Sequence, residues 1–151
     1  MAPLYRERLA PGLGVLLPCA LIIPAVALVF VPINAIVGIA LGVAIYLAVL
    51  GVFAATTPTV EVSGGVLRAG RASIPVALLG AAHAYDGDEA RAERGTRLDA
   101  RAWLLLRGWV RGVVRIELDD PADPTPYWLV SSRRGAELAA AVEAAKASPT
   151  G

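Results

Sequence analysis

Apolar and polar positions along the chain fall into two regimes. Residues 9–60 contain no Asp, Glu, Lys, Arg or His, whereas from Glu61 onward charged residues recur throughout. Placing one Asp, Lys or Arg at mid-bilayer is disfavoured by about 2.5–3.5 kcal/mol, so a long charge-free apolar stretch is what lipid selects. The run is too long for one span and divides at Pro32-Ile33-Asn34, where a proline and a turn-favouring asparagine interrupt it. The pattern therefore predicts a hairpin over 12–55, with antiparallel helices at 13–31 and 35–55, each about 30 Å long at 1.5 Å per residue. Pro18 and Pro24 predict a kink in the first helix, tolerated where neighbours re-satisfy the freed carbonyls.

The second regime alternates with a period of two. Val60 and Val62 are separated by Glu61, Gly64-Gly65 offers a two-residue turn, and Leu67, Ala69, Ala72 and Ile74 carry the alternation on to Pro75. Another strand is expected through His83 and Tyr85. The mixed-charge stretch 86–99 reads as an exposed loop with room for a short helix. Apolar character returns at Trp103, and Val114, Ile116 and Leu118 alternate with Arg115 and Glu117 as an antiparallel strand. Three prolines, Pro121, Pro124 and Pro126, make a rigid turn before a last strand from Tyr127 to Ser131. Leu138, Val142 and Ala145 then mark an amphipathic helix over 134–147, with Ser131 or Ser132 as its cap and Pro149 at its end.

Composition narrows the function classes. Beyond residue 55 the chain carries twelve basic and twelve acidic residues, a balance unlike that of a nucleic-acid binder. A cleavable secretory signal has an apolar core of about 7–15 residues, and this run is several times longer. The one cysteine, Cys19, lies inside the first apolar segment, so no intramolecular disulfide is available. Arg6 and Arg8 precede the hairpin, Arg68 and Arg71 follow it, and its turn is uncharged. That asymmetry predicts a multi-pass protein of the plasma (inner) membrane with both termini cytoplasmic: a cytoplasmic segment 1–11, the hairpin, and a cytoplasmic domain 56–151.

About six antiparallel strands followed by one helix resemble a pleckstrin-homology-like barrel, in which the helix plugs an open end. Val66-Leu67-Arg68-Ala69-Gly70-Arg71-Ala72-Ser73-Ile74-Pro75 also resembles the second and third strands of bacterial membrane-anchored domains of that type. Over nearly the full length the chain resembles an uncharacterised family of actinobacterial membrane proteins. That likeness is carried by the run from Leu104 to Arg111 and by Asp120-Pro121-Ala122-Asp123-Pro124-Thr125-Pro126-Tyr127-Trp128. It implies architecture and localisation and adds no chemistry. The expected fold is thus a membrane α-helical hairpin followed by a small β-rich α+β domain.

Candidate sites are few. Arg107, Trp109 and Arg111 alternate, so on a strand they share one face; with Arg133 and Arg134 they suit a lipid phosphate or an acidic protein partner. The alternative is solvated arginines paired with acids, and tryptophans serving the core. Gly38, Gly42, Ala44 and Ala48 form a small-residue stripe, suited either to homo-oligomer contact through the membrane helices or to packing within the hairpin. Asp119, Asp120 and Asp123 are a weak metal candidate whose spacing matches no calcium loop. One histidine, His83, and a membrane-buried cysteine build neither a zinc site nor a Cys-His pair, and no phosphate-cradling glycine loop or nucleophile elbow occurs. The expectation is a non-enzymatic interaction module without cofactor. The rival is a hydrolase or transferase using the turn at 119–123.

Overall fold

The structure is a computed structural model that describes residues 2–148. It divides into two compact units, Ala10–Thr57 and a second made of the residues up to Leu9 together with those from Pro58 onward. The second unit therefore includes a segment that the sequence analysis treats only as a flank. Tyr5–Arg8 is a strand, β1, that directs Tyr5 and Glu7 inward and Arg6 and Arg8 outward.

Within Ala10–Thr57 the first apolar stretch is helical as α1 (Leu13–Ala20) and α2 (Ile22–Phe30), broken at Leu21. The break lies between the two prolines. Pro24 has no N–H to offer the carbonyl of Ala20, so the expected kink has a backbone cause. The second stretch is α3 (Ala35–Thr56), started by Asn34, whose Oδ1 accepts from the N–H groups of Ile36 and Val37 at 2.9 and 3.2 Å. Leu13–Phe30 and Ala35–Thr56 are long and apolar enough to cross a membrane, and almost none of their surface is buried. Leu13, Leu28 and Ile36 are more than two-thirds exposed.

What holds this unit together is close backbone approach. A Cβ added at Gly38 would lie 2.8 Å from Phe30 Cβ and 2.9 Å from Ala27 Cα, and one at Gly42 would lie 2.9 Å from the Cα and carbonyl oxygen of Ile23. These two glycines let α3 lie against α2. Ala44 and Ala48, the rest of the small-residue stripe, are exposed.

The other unit has two four-stranded sheets. In the first, β1 pairs with β2 (Thr59–Ser63), β2 with β3 (Val66–Ala69) and β3 with β4 (Ala72–Pro75), all antiparallel. Gly64 and Gly65, with φ of 56° and 73°, form the β2–β3 turn that the sequence predicts. The second sheet has the order β5-β7-β8-β6, with β5 Leu79–Tyr85, β6 Trp103–Leu105, β7 Val113–Leu118 and β8 Tyr127–Ser131. Here the expectation of an antiparallel fold throughout is corrected. β6 runs parallel to β8, in the register Trp103↔Trp128, because the segment between β6 and β7 crosses the end of β8 before the chain turns back. No ladder joins the two sheets among the described residues.

Helix α4 (Gly87–Arg94) occupies the polar stretch, and α5 (Gly135–Ala147) closes the described chain, one residue shorter at its start than predicted. Pro149 lies outside the described residues. The N-cap of α5 is Arg134, without a side-chain cap, so the predicted serine cap is corrected: Ser131 belongs to β8 and Ser132 Oγ accepts from Arg134 N at 3.0 Å. The main core takes Val60, Val62 and Leu67 from the first sheet, Val114, Ile116, Trp128 and Val130 from the second, and Leu138 and Val142 from α5. A smaller cluster of Ala90, Val113, Tyr127 and Leu129 covers the opposite face of the second sheet, which explains why every residue of β8 is buried.

The close contacts at Gly42 give a direct expectation. Gly42→Ala should destabilise the hairpin by about 1–3 kcal/mol through overpacking, while Gly51→Ala, which meets nothing within 4 Å, should gain about 0.5–1 kcal/mol of helix propensity. Denaturant titration in detergent followed by circular dichroism reads both, and equal effects would show that the contact does not hold the hairpin.

Candidate functional site

Of the five residues singled out for lipid or partner binding, Arg107, Trp109, Arg133 and Arg134 lie at one end of the second sheet, though not as a strand face, and Arg111 lines a cleft apart from them. Residues 106–112 lie outside the strands, with a turn closed by Val110 N donating to the Arg107 carbonyl at 3.0 Å. Alternation from Arg107 through Trp109 to Arg111 therefore does not place them on one face, because the turn rotates each side chain differently. The common location of the other four has another origin. Arg107 N donates to Ser131 Oγ at 2.9 Å, and Ser132 N donates to the Gly112 carbonyl at 3.1 Å. These bonds fasten the turn to the end of β8, from which Arg133 and Arg134 continue.

Trp109 is half-buried against the core, and its indole N–H donates to the Leu9 carbonyl at 3.0 Å. Arg134 lies over the Tyr5 ring, 5.0 Å from its centroid; it donates to the Arg6 carbonyl at 2.8 Å and pairs with Glu137 at 3.1 Å. Arg133 approaches Glu7 at 4.0 Å. Arg111 is exposed and sits beside Arg91 and Arg94 in a separate cleft.

At the centre of this end is a group that the sequence analysis missed. Glu7 is 6% exposed, and its carboxylate accepts from Tyr5 OH, from Ser132 Oγ at 2.7 Å and from Arg133 N at 3.0 Å. The Tyr5 and Ser132 hydroxyls are themselves 2.8 Å apart. Burial pushes the Glu7 carboxyl up, but the hydrogen bonds from Tyr5, Ser132 and the Arg133 backbone, with the nearby Arg134 charge, outweigh it and hold the group below its ordinary range. Burial and the adjacent carboxylate push the Tyr5 hydroxyl up. The outcome is an ionised glutamate and a neutral tyrosine fastening β1 to the β8–α5 junction. The available sequence signal was the alternation Tyr5-Arg6-Glu7-Arg8, hidden because one inward position is charged.

The aspartate turn lies elsewhere. Asp119, Asp120 and Asp123 connect β7 to the start of β8, the end opposite Ser131 and Arg107. Asp120 Oδ1 accepts from Ala122 N at 2.9 Å and Asp123 Oδ1 from Thr125 N at 2.8 Å, so both carboxylates serve the turn's own backbone. Among the described residues no group of three His, Cys, Asp or Glu side chains is placed to hold a metal. On the other face of the second sheet, Glu93, 2% exposed, pairs with Arg97 and Arg115 at 3.4 Å each, and Arg115 lies 3.9 Å from the Tyr127 ring centroid.

Compared with known proteins, residues 4–142 match a family model described as Protein of unknown function (DUF3093). The match begins beside β1, takes in both apolar helices and both sheets, and ends within α5. No curated protein and no solved structure matches the chain.

The Glu7 network predicts a pH dependence. A carboxylate held below its ordinary value of 4.5 contributes stability that is complete above that value and is lost as pH falls through the folded-state value. A tyrosine held above its ordinary value of 10.0 contributes stability that is complete below that value and is lost at higher pH. Stability of the chain should thus be flat between these limits with respect to this pair, and Glu7→Gln should shallow its acid limb. Glu7→Ala, which removes the acceptor shared by Tyr5 OH, Ser132 Oγ and Arg133 N, should cost about 3 kcal/mol at neutral pH. Thermal unfolding across pH checks all three expectations.

Proposed function

We propose, from the premise that this chain belongs to the DUF3093 family of proteins of unknown function, that it is an integral membrane protein acting as a non-enzymatic interaction module. Its two apolar helices span the inner membrane and its β-rich domain stands at the cytoplasmic face. The observation that carries this reading is the placement of the hairpin between paired strands. Arg8 pairs with Thr59, and Leu9 N donates to the Pro58 carbonyl at 3.0 Å, so the chain leaves the sheet and returns to it at one ladder. A two-span excursion that starts and ends in one ladder puts both flanks on one side of the bilayer. Arg6, Arg8, Arg68 and Arg71 make that side the cytoplasmic one.

Kinship with pleckstrin-homology-like domains is supported by strand order. β1 to β4 form a meander, β5, β7 and β8 are antiparallel, and α5 follows, with α4 and β6 as additions between β5 and β7. In this reading the hairpin occupies the connection between the first two strands. What supports binding over catalysis is that the Asp120 and Asp123 carboxylates are engaged in their own turn, at the opposite end of β8 from Arg107. The basic and aromatic end offers groups suited to lipid phosphate or to an acidic protein surface.

Labelling of introduced cysteines tests the topology. In a Cys19→Ser background, Ile33→Cys in the helix–helix turn and Ala136→Cys on α5 should react with an impermeant maleimide from opposite sides of sealed vesicles. The wild-type chain should stay in the membrane fraction at alkaline pH. Reaction of both cysteines from one side, or release by alkali, would overturn the reading.

A further inference from the structure

We infer that the cleft lined by Gly87, Asp88, Arg91, Arg94 and Arg111 binds a phosphate group, carried by a soluble phosphomonoester or by a lipid headgroup. The cleft has a volume of about 380 Å³ and lies wholly within the β-rich unit, where the start of α4 meets the segment leading into β7. Its charges do not cancel. One carboxylate, Asp88, lines it against three guanidinium groups; outside the lining, Asp86 caps α4, accepting from Gly87 N at 3.2 Å, and Glu89 pairs with Arg97 at 2.6 Å. Asp88 pairs with Arg91 at 3.1 Å, which neutralises one of the three guanidinium groups.

The other two retain their charge. Arg94 is anchored by donating from Nη2 to the carbonyls of Val110, at 3.0 Å, and Arg111. Backbone carbonyls fix the orientation of a guanidinium without supplying a counter-charge. Arg94 Nη1 makes no hydrogen bond among the described residues, which leaves it as the donor available to a ligand oxygen. Arg111 is exposed, and its guanidinium has no carboxylate partner among the described residues. Two guanidinium groups without a carboxylate partner, one of them held in place, match the charge of a phosphate, and the N-terminal end of α4 adds a favourable dipole.

This inference goes beyond the anchor reading and does not depend on it, because binding is measurable on the full chain in zwitterionic detergent micelles. Calorimetric titration would use inorganic phosphate, short-chain phosphatidic acid and, as control, short-chain phosphatidylcholine. Saturable phosphate or phosphatidic acid binding is expected, weakened about tenfold or more by Arg111→Ala and strengthened several-fold by Asp88→Asn, which frees Arg91. Arg68→Ala, an exposed arginine on β3, should leave affinity unchanged. Equal affinity for phosphate and phosphatidic acid would identify a soluble phosphomonoester as the ligand class; clearly tighter phosphatidic acid binding would identify a lipid headgroup. Arg111 and Asp88 are both exposed, and circular dichroism verifies that their variants fold. The inference is overturned if neither phosphate nor phosphatidic acid binds saturably, if phosphatidylcholine binds as well as they do, or if Arg111→Ala and Arg68→Ala weaken binding alike.

Discussion

The pairing of β1 with β2 is the constraint on which the rest of the molecule depends. Adjacent strands lie about 4.8 Å apart, whereas packed helix axes lie about 8–10 Å apart. Joining the two ends of a helical hairpin to one ladder therefore requires connectors that close the difference. The Leu9–Pro58 hydrogen bond extends the ladder to the last position before the chain departs. Because β1 has β2 as its only strand partner among the described residues, its place in the sheet rests on four register positions and on whatever side chains it can contribute. That is why Tyr5 and Glu7 matter out of proportion to the length of the strand.

The β-rich unit uses buried charge on both sides of its second sheet. Glu7 ties the first strand to the junction between β8 and α5, and Glu93 ties α4 to β7 through Arg115. Removing one member of such a set leaves a buried group without its partner, so each carboxylate specifies where its element must lie more than it adds to net stability. Both acids come from short elements, a four-residue strand and an eight-residue helix, which have little apolar surface with which to specify their own position.

Much of this architecture was legible in the sequence, for identifiable physical reasons. Charge exclusion marked the apolar helices to within a residue or two, and Asn34 announced the start of the second. Period-two alternation gave β2, β3, β4 and β7, and spacing of three and four gave α5. The failures share a cause as well. β1 was invisible because Glu7 stands at an inward position, where alternation looks for an apolar residue. The parallel β6–β8 pair depends on a segment crossing over the end of a strand, a long-range relation that no local pattern encodes. Arg107, Trp109 and Arg111 do not share a strand face as their alternation suggests, since they lie on a turn outside the strands, and Arg111 lines a cleft with Arg91 and Arg94. The Arg91 and Arg94 side of the cleft was read as an exposed polar loop, because only tertiary packing reveals which charges lack partners.

The insertion of the hairpin between β1 and β2 also orders events during synthesis. Ala10–Thr57 takes roughly 2–10 s to translate at about 5–20 residues per second, and during that interval the first strand exists without its partner. Glu7 waits longer still, since Ser132 and Arg133 follow it by 125 and 126 residues. An isolated strand edge is a template for mispairing, and the alternating arginines of Tyr5–Arg8 supply the charge that keeps such an edge soluble. Tyr5–Arg8 therefore gains its side-chain anchors only after Ser132 and Arg133 have been made, long after its ladder partner.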